Sequence, residues 1–156
     1  MDFTHIDASG NAVMVDVTEK APTRRRAVAC GRIRMSPACF EAVQAGAVKK
    51  GDVLAVAQVA GIMSTKQTSH LIPLCHGLNL TSSSLTFTLH PESWEVEAVC
   101  TAQCDGKTGV EMEALTGVSV ALLTVYDMCK ALDKRMVIGD VHLVEKDGGK
   151  SGAFRF

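Results

Sequence analysis

The sequence predicts an α+β fold in which an antiparallel sheet carries its helices on one face. Three observations predict it. Stretches near 27–35, 80–90, 94–104 and 136–145 alternate apolar with polar or small residues at the period of a strand. Three segments between them read as helices, and the resulting order is β-α-α-β-β-α-β. With one added helix, that is the split βαββαβ pattern of ferredoxin-like folds. The chain has 156 residues, 47% of them hydrophobic, and fits a single domain spanning 1–156.

Residues 1–23 are mostly polar, with Gly10, Asn11 and Pro22, and read as a lead-in that is flexible over 1–12. The first strand covers Ala27 to Met35. Ser36-Pro37 then supplies an N-cap and a proline at the first helical position, and Gly46 can end that helix near Ala45. Lys49-Lys50-Gly51-Asp52 is a turn. A second helix from Asp52 to about Ser69 places Val53, Val56, Val59, Ala60 and Met63 on an apolar face. Pro73 stops it. Two strands follow, Leu80–His90 and Trp94–Cys104, joined at Pro91-Glu92-Ser93 and ended by Asp105-Gly106. The longest helix runs from Val110 to Leu132. The last strand is 136–145, and 148–156 reads as a glycine-rich flexible tail.

Composition narrows the function. Net charge is −1, which argues against nucleic acid as the main partner. Arg24, Arg25 and Arg26 nevertheless concentrate positive charge and suit a phosphate or carboxylate. Six cysteines form no CxxC pair, and the first twenty residues carry acids rather than an apolar core of a signal peptide. Reduced thiols in a cytoplasmic protein are expected. No apolar run approaches the ~18 residues of a membrane span.

The long helix carries the most chemistry. Asp127 and Lys130 are three residues apart and share a face, which suits an ion pair. Glu113 lies fourteen residues before Asp127, about 21 Å away along a straight helix. Both cannot line one small pocket of one chain, so if both are functional the site is either very elongated or assembled across two chains. The small residues Ala114, Thr116, Gly117, Ser119 and Ala121 suit close approach by another helix. His76 is one imidazole in the buried-looking turn Leu71–Leu78, and imidazole suits proton transfer near neutral pH. Lys50 precedes a helix start, where backbone N–H groups favour phosphate, and Lys66 adds a basic group at the far end of that helix. Zinc ligation by Cys75 and His76 would need further donors. Cys100 and Cys104, on a strand, are spaced about 13 Å apart and do not supply them. Gly149-Lys150-Ser151 is not a phosphate-binding P-loop, because Val144 stands where the motif needs glycine.

Several stretches together resemble one family. They are Met14-Val15-Asp16-Val17, Lys50-Gly51-Asp52-Val53, Ala60-Gly61-Ile62 with Lys66, and Leu71-Ile72-Pro73-Leu74-Cys75-His76. Gly106 to Thr116, Tyr126-Asp127-Met128-Cys129-Lys130-Ala131 and Gly148-Gly149-Lys150-Ser151-Gly152 complete the set, over about residues 4–154. The chain is similar to the molybdenum cofactor biosynthesis protein C family, the cyclic pyranopterin monophosphate synthases. The resemblance implies conversion of 3′,8-cyclo-7,8-dihydroguanosine triphosphate to cyclic pyranopterin monophosphate with release of pyrophosphate, by acid–base chemistry without metal or other cofactor. It implies catalytic roles for Asp127, Lys130, Lys50 and His76. Leu74, Cys75, His76, Met112 and Glu113 match substrate-binding segments, Glu111 adjoins one, and Arg25, Lys66, Lys146 and Lys150 are candidate phosphate contacts. It further implies a homo-oligomer, a hexamer built as a trimer of dimers with sites at dimer interfaces, and neither membrane nor nucleic acid as partner. One departure stands out: the family usually has proline after Leu-Cys-His, and this chain has Gly77, which loosens the turn. On residues alone, a non-catalytic nucleotide-binding protein of this fold is the competing class, and it would tolerate loss of Asp127 or Lys130.

Overall fold

A computed structural model describes residues 5–156; the first residues of the expected lead-in lie outside them. The strands are β1 (Thr23–Arg34), β2 (Leu80–His90), β3 (Glu95–Gly106), β4 (Val137–Asp147) and β5 (Phe154–Arg155). The helices are α1 (Pro37–Gln44), α2 (Val53–Thr65), α3 (Thr68–Leu71) and α4 (Glu111–Cys129). All strand pairs are antiparallel, in the spatial order β2-β3-β1-β4-β5. The first four strands in that order give the ferredoxin-like α+β arrangement. Helices α2 and α4 pack against each other and cover one face of the sheet, α4 over β1, β3 and β4 and α2 over β2.

Local chemistry explains the element ends. Ser36 caps α1, its hydroxyl accepting from Cys39 N, with Pro37 at the first position. Asp52 caps α2 by accepting from Ala55 N at 3.0 Å. Alternation along β3 sends Val96, Ala98, Cys100, Ala102 and Cys104 into the core. They meet Ala114, Val118, Ala121, Leu122 and Val125 of α4. By length and composition α4 is apolar enough to cross a membrane, contrary to the sequence expectation. Its apolar residues are instead largely buried against the sheet and α2.

Four expectations need correcting. The helix expected to reach Ser69 breaks at Lys66–Gln67, leaving α3 as a separate turn. Its buried side is Val53, Ala57, Gly61, Ser64 and Thr65, while Val56, Val59 and Met63 are 47%, 58% and 60% exposed. Both sides of α2 are apolar, so hydropathy cannot say which faces in; closeness to α4 decides it. A Cβ on Gly61 would clash with Leu85 and lie 2.9 Å from Gly117 O, so α2 and α4 meet at their glycines. The small residues of α4 are thus spent on a helix of the same chain. Trp94 does not begin β3: it sits in the turn at φ 55, its ring edge-on to Phe40 at 5.7 Å. Asp105-Gly106 does not stop the strand at Cys104 either but forms its last two residues, because β1 extends far enough to pair Thr23 with Gly106 and Arg24 with Asp105.

Both chain ends described carry contacts. Ile6 bridges Ala12, around a turn in which the Asp7 carboxylate accepts from Ser9 N and Asn11 N. Beyond β4, Phe154 pairs with Lys146 and Arg155 with Glu145.

Candidate functional site

The sequence-predicted residues gather at the two ends of α4. At its C-terminal end, one helical turn aligns Asp127 with Lys130, whose Nζ lies 2.7 Å from Asp127 Oδ1. The turn before α2 brings Lys50 to the same carboxylate. Its Nζ donates to Asp127 O at 3.0 Å and to Oδ2 at 3.3 Å. All three side chains are about half exposed. Hydrogen bonds from Lys130 and then Lys50 hold the Asp127 carboxyl below its ordinary range. The same contact keeps the Lys130 ammonium above its ordinary range. The result is a carboxylate held ionised beside a lysine held protonated, with the Lys50 amine on its other oxygen, open to an approaching ligand.

The N-terminal end of α4 forms one wall of a cavity of about 730 Å³. Leu74, Cys75, His76, Glu111, Met112 and Glu113 line it. The turn that carries them closes through Cys75 N to Ile72 O at 3.1 Å. His76 Nε2 donates to Val15 O at 2.8 Å, so its ring ties residues 12–20 across the cavity. Glu113 is only 4% exposed, and burial pushes its carboxyl above the ordinary value, helped by the nearby Glu111. Burial, with Glu113 adding to it, also raises the Cys75 thiol, which makes it a poor nucleophile.

A second cavity of about 900 Å³ adjoins the first, the two sharing Lys20, Thr108, Gly109 and Glu111. Arg25, Lys146 and Lys150 line it, together with Lys107 and Lys20. Lys146 Nζ is 3.2 Å from Glu111 Oε1 and donates to Ser151 Oγ at 2.7 Å. Arg25 donates through Nε to Gly106 O and through Nη2 to Lys107 O. Five cations face two carboxylates, Glu19 and Glu111, in a concave surface, which favours a polyanion. Lys66 is not brought in: it caps the C-terminus of α2, exposed and outside both cavities.

Sequence reasoning missed Lys20 and Lys107. Lys107 Nζ donates to Thr18 O at 2.8 Å, a second tie on the segment that presents Lys20. Nothing local marks Lys20, a lysine in a polar lead-in; its position between the cavities comes only from these long-range ties. Among the described residues, no three His, Cys, Asp or Glu side chains cluster as a metal-ligand set.

The arrangement offers an acid–base group at one end of α4. At the other it offers an apolar-walled cavity opening into a basic cleft, which suits an anionic ring compound. Comparison with known proteins agrees. The chain is 58% identical over 154 residues to a Clostridium perfringens (strain 13 / Type A) protein named "Cyclic pyranopterin monophosphate synthase", covering 99% of this chain and 98% of that relative. Relatives of the same name from Heliobacterium modesticaldum and Thermoanaerobacter pseudethanolicus are 59% and 53% identical, each over 96% or more of both chains. The model of the MoaC family matches residues 14–149, and the chain belongs to the MoaC family.

Proposed function

We propose that this chain is a cyclic pyranopterin monophosphate synthase of molybdenum cofactor biosynthesis. In this reading it is a lyase that converts 3′,8-cyclo-7,8-dihydroguanosine triphosphate to cyclic pyranopterin monophosphate and pyrophosphate. The observation that carries it is the similarity to relatives of that name over nearly the whole of both chains. The site chemistry supports it. Ring opening and ring closure are proton transfers and carbonyl chemistry, which suit Asp127, Lys130 and Lys50. The apolar-walled cavity accepts a fused-ring system, with Leu74, Cys75, Met112 and Glu113 around it. The adjoining basic cleft, with Arg25, Lys146 and Lys150, accepts the triphosphate.

Two clusters about 21 Å apart along one helix cannot act on one ring system. The proposal therefore joins them across subunits, with Asp127, Lys130 and Lys50 of one chain facing the cavity of a second. Supporting this, Val56, Val59 and Met63 of α2 and Leu123 of α4 leave an apolar outer face that is 47% to 60% exposed residue by residue. The assembly proposed is a hexamer of three dimers, located in the cytoplasm. His76 acts there by holding residues 12–20 over the cavity through Val15 O, and as a candidate acid or base when that bond opens.

The test is incubation of the purified protein with the cyclised nucleotide while pyrophosphate is followed. One pyrophosphate released per substrate consumed supports the reading. Tight binding with no release would assign the chain to the competing class, a nucleotide-binding protein.

A further inference from the structure

The glycines of 148–152 differ in what surrounds them. Gly148, Gly149 and Gly152 all have positive φ, at 97°, 81° and 66°. Gly152 has open space where a Cβ would stand. Gly149 does not: a Cβ there would overlap Arg25 Nη1 and fall 2.6 Å from Cζ of the same guanidinium. Real Cβ atoms essentially never come within 3.0 Å of another heavy atom in this way. At Gly148 a Cβ would overlap Arg24 O.

Sheet register brings these residues together. β1 and β4 pair Arg26 with Asp147, so the chain leaving β4 passes directly beside Arg24 and Arg25. Arg25 then lies between two backbone segments. Gly106 O at 3.3 Å and Lys107 O at 3.4 Å accept from its Nε and Nη2, while Gly149 lies against the guanidinium. Lys146 pins the same loop from the other side through Ser151 Oγ. Arg25 also lines the basic cleft, and its guanidinium carries more donors than these two bonds use.

We propose that Gly149 is the seat of the Arg25 guanidinium, the absence of a side chain there fixing a cation that binds the substrate's phosphates. The proposal rests on the reading of the cleft as a triphosphate site. Gly149 is a positioning residue, and its effect runs through Arg25 alone. A side chain at 149 swings the guanidinium off its two carbonyls and out of the cleft, whereas one at 152 meets only the backbone cost of positive φ.

Four variants test this: Gly149→Ala, Gly152→Ala, Arg25→Ala, and Arg25→Ala with Gly149→Ala. Calorimetry reads the binding of inorganic tripolyphosphate, and steady-state kinetics read the cyclised nucleotide. Gly149→Ala is expected to weaken tripolyphosphate binding about tenfold and raise KM similarly, with kcat within about twofold. Gly152→Ala keeps both within about twofold, and Gly149→Ala adds nothing once Arg25 is Ala. Equal losses at 149 and 152, or a full further loss on the Arg25→Ala background, overturn the proposal. If Gly149→Ala does not fold on the parent background, Arg25→Lys with and without Gly149→Ala decides. A lysine head needs no planar seat, so Gly149→Ala on that background leaves tripolyphosphate binding unchanged, and a further tenfold loss overturns the proposal. Parent protein that binds tripolyphosphate with this dependence on residue 149 yet never releases pyrophosphate leaves the seat standing and removes the synthase reading.

Discussion

Lys50 donates to both the main-chain carbonyl and the carboxylate of Asp127, at 3.0 and 3.3 Å, across 77 residues of sequence. That double contact makes a three-member charge cluster of what would otherwise be an ordinary helical ion pair. Exposed pairs of the Asp127–Lys130 kind add little to stability, which fits the chemical role proposed for the cluster.

The first prediction concerns that cluster. Asp127→Asn, Lys130→Ala and Lys50→Ala each lower pyrophosphate release about 10²-fold or more, while thermal midpoints stay near that of the parent. The folded pKa of Asp127 lies below 3.8. Any stability the cluster supplies is therefore complete above that value and lost only as pH falls through the folded pKa. Turnover measured above pH of about 5 accordingly shows no acid limb from Asp127; such a limb, abolished by Asp127→Asn, would count against the assigned charge state.

Glu113 behaves oppositely. Burial raises its folded pKa above 4.5, so between the two values the native state holds the extra proton, and stability falls as pH rises through the folded pKa. Glu113→Gln should thus gain thermal stability over the parent on going from pH 4 to pH 7. Melting curves at both pH values check this. A constant difference between the two proteins would mean that Glu113 is not desolvated.

The glycine contact between the helices gives a third prediction. A Cβ at Gly117 would lie 2.5 Å from Cys100 Sγ and 2.9 Å from Thr65 Cγ2, with core on every side. Gly117→Ala is expected to cost about 1–3 kcal/mol in denaturant unfolding, the usual range for overpacking. A neutral result would show that α2 can move away from α4.

Gly77 gives a fourth. A Cβ there meets only Ser69 Oγ, at 3.8 Å, and its φ is not in the left-handed region. Gly77→Pro removes freedom from the unfolded chain and should stabilise by about 0.4–1 kcal/mol, raising Tm by ~1–4 °C without changing kcat. A drop in Tm would show that the turn needs the glycine.

Much of the scaffold was legible because its signals are local. Ser36-Pro37 announced α1, alternation announced β2, and three-residue spacing announced the Asp127–Lys130 pair. Features set by distant contacts were not legible. The inner side of α2 follows from a glycine-to-glycine approach to α4, and β3 takes in Asp105-Gly106 because β1 is long enough to pair with them. Lys20 is placed by ties from His76 and Lys107 to its neighbours' carbonyls. Residue chemistry raised Lys50 and His76 as candidates and the likeness to a family gave them catalytic roles; the turn before α2 then put Lys50 on Asp127, while His76 joined the other end of α4.

That separation makes subunit sharing the claim on which the functional account turns, and complementation measures it. Asp127→Asn and His76→Ala chains, each inactive alone, are co-expressed with different tags and the mixed oligomers isolated. If each site takes Asp127 from one chain and His76 from its neighbour, random pairing makes about half the dimers mixed, each with one intact site. Activity then returns to about a quarter of the parent's per chain. Mixed oligomers no more active than the two variants assayed apart would contradict a shared site.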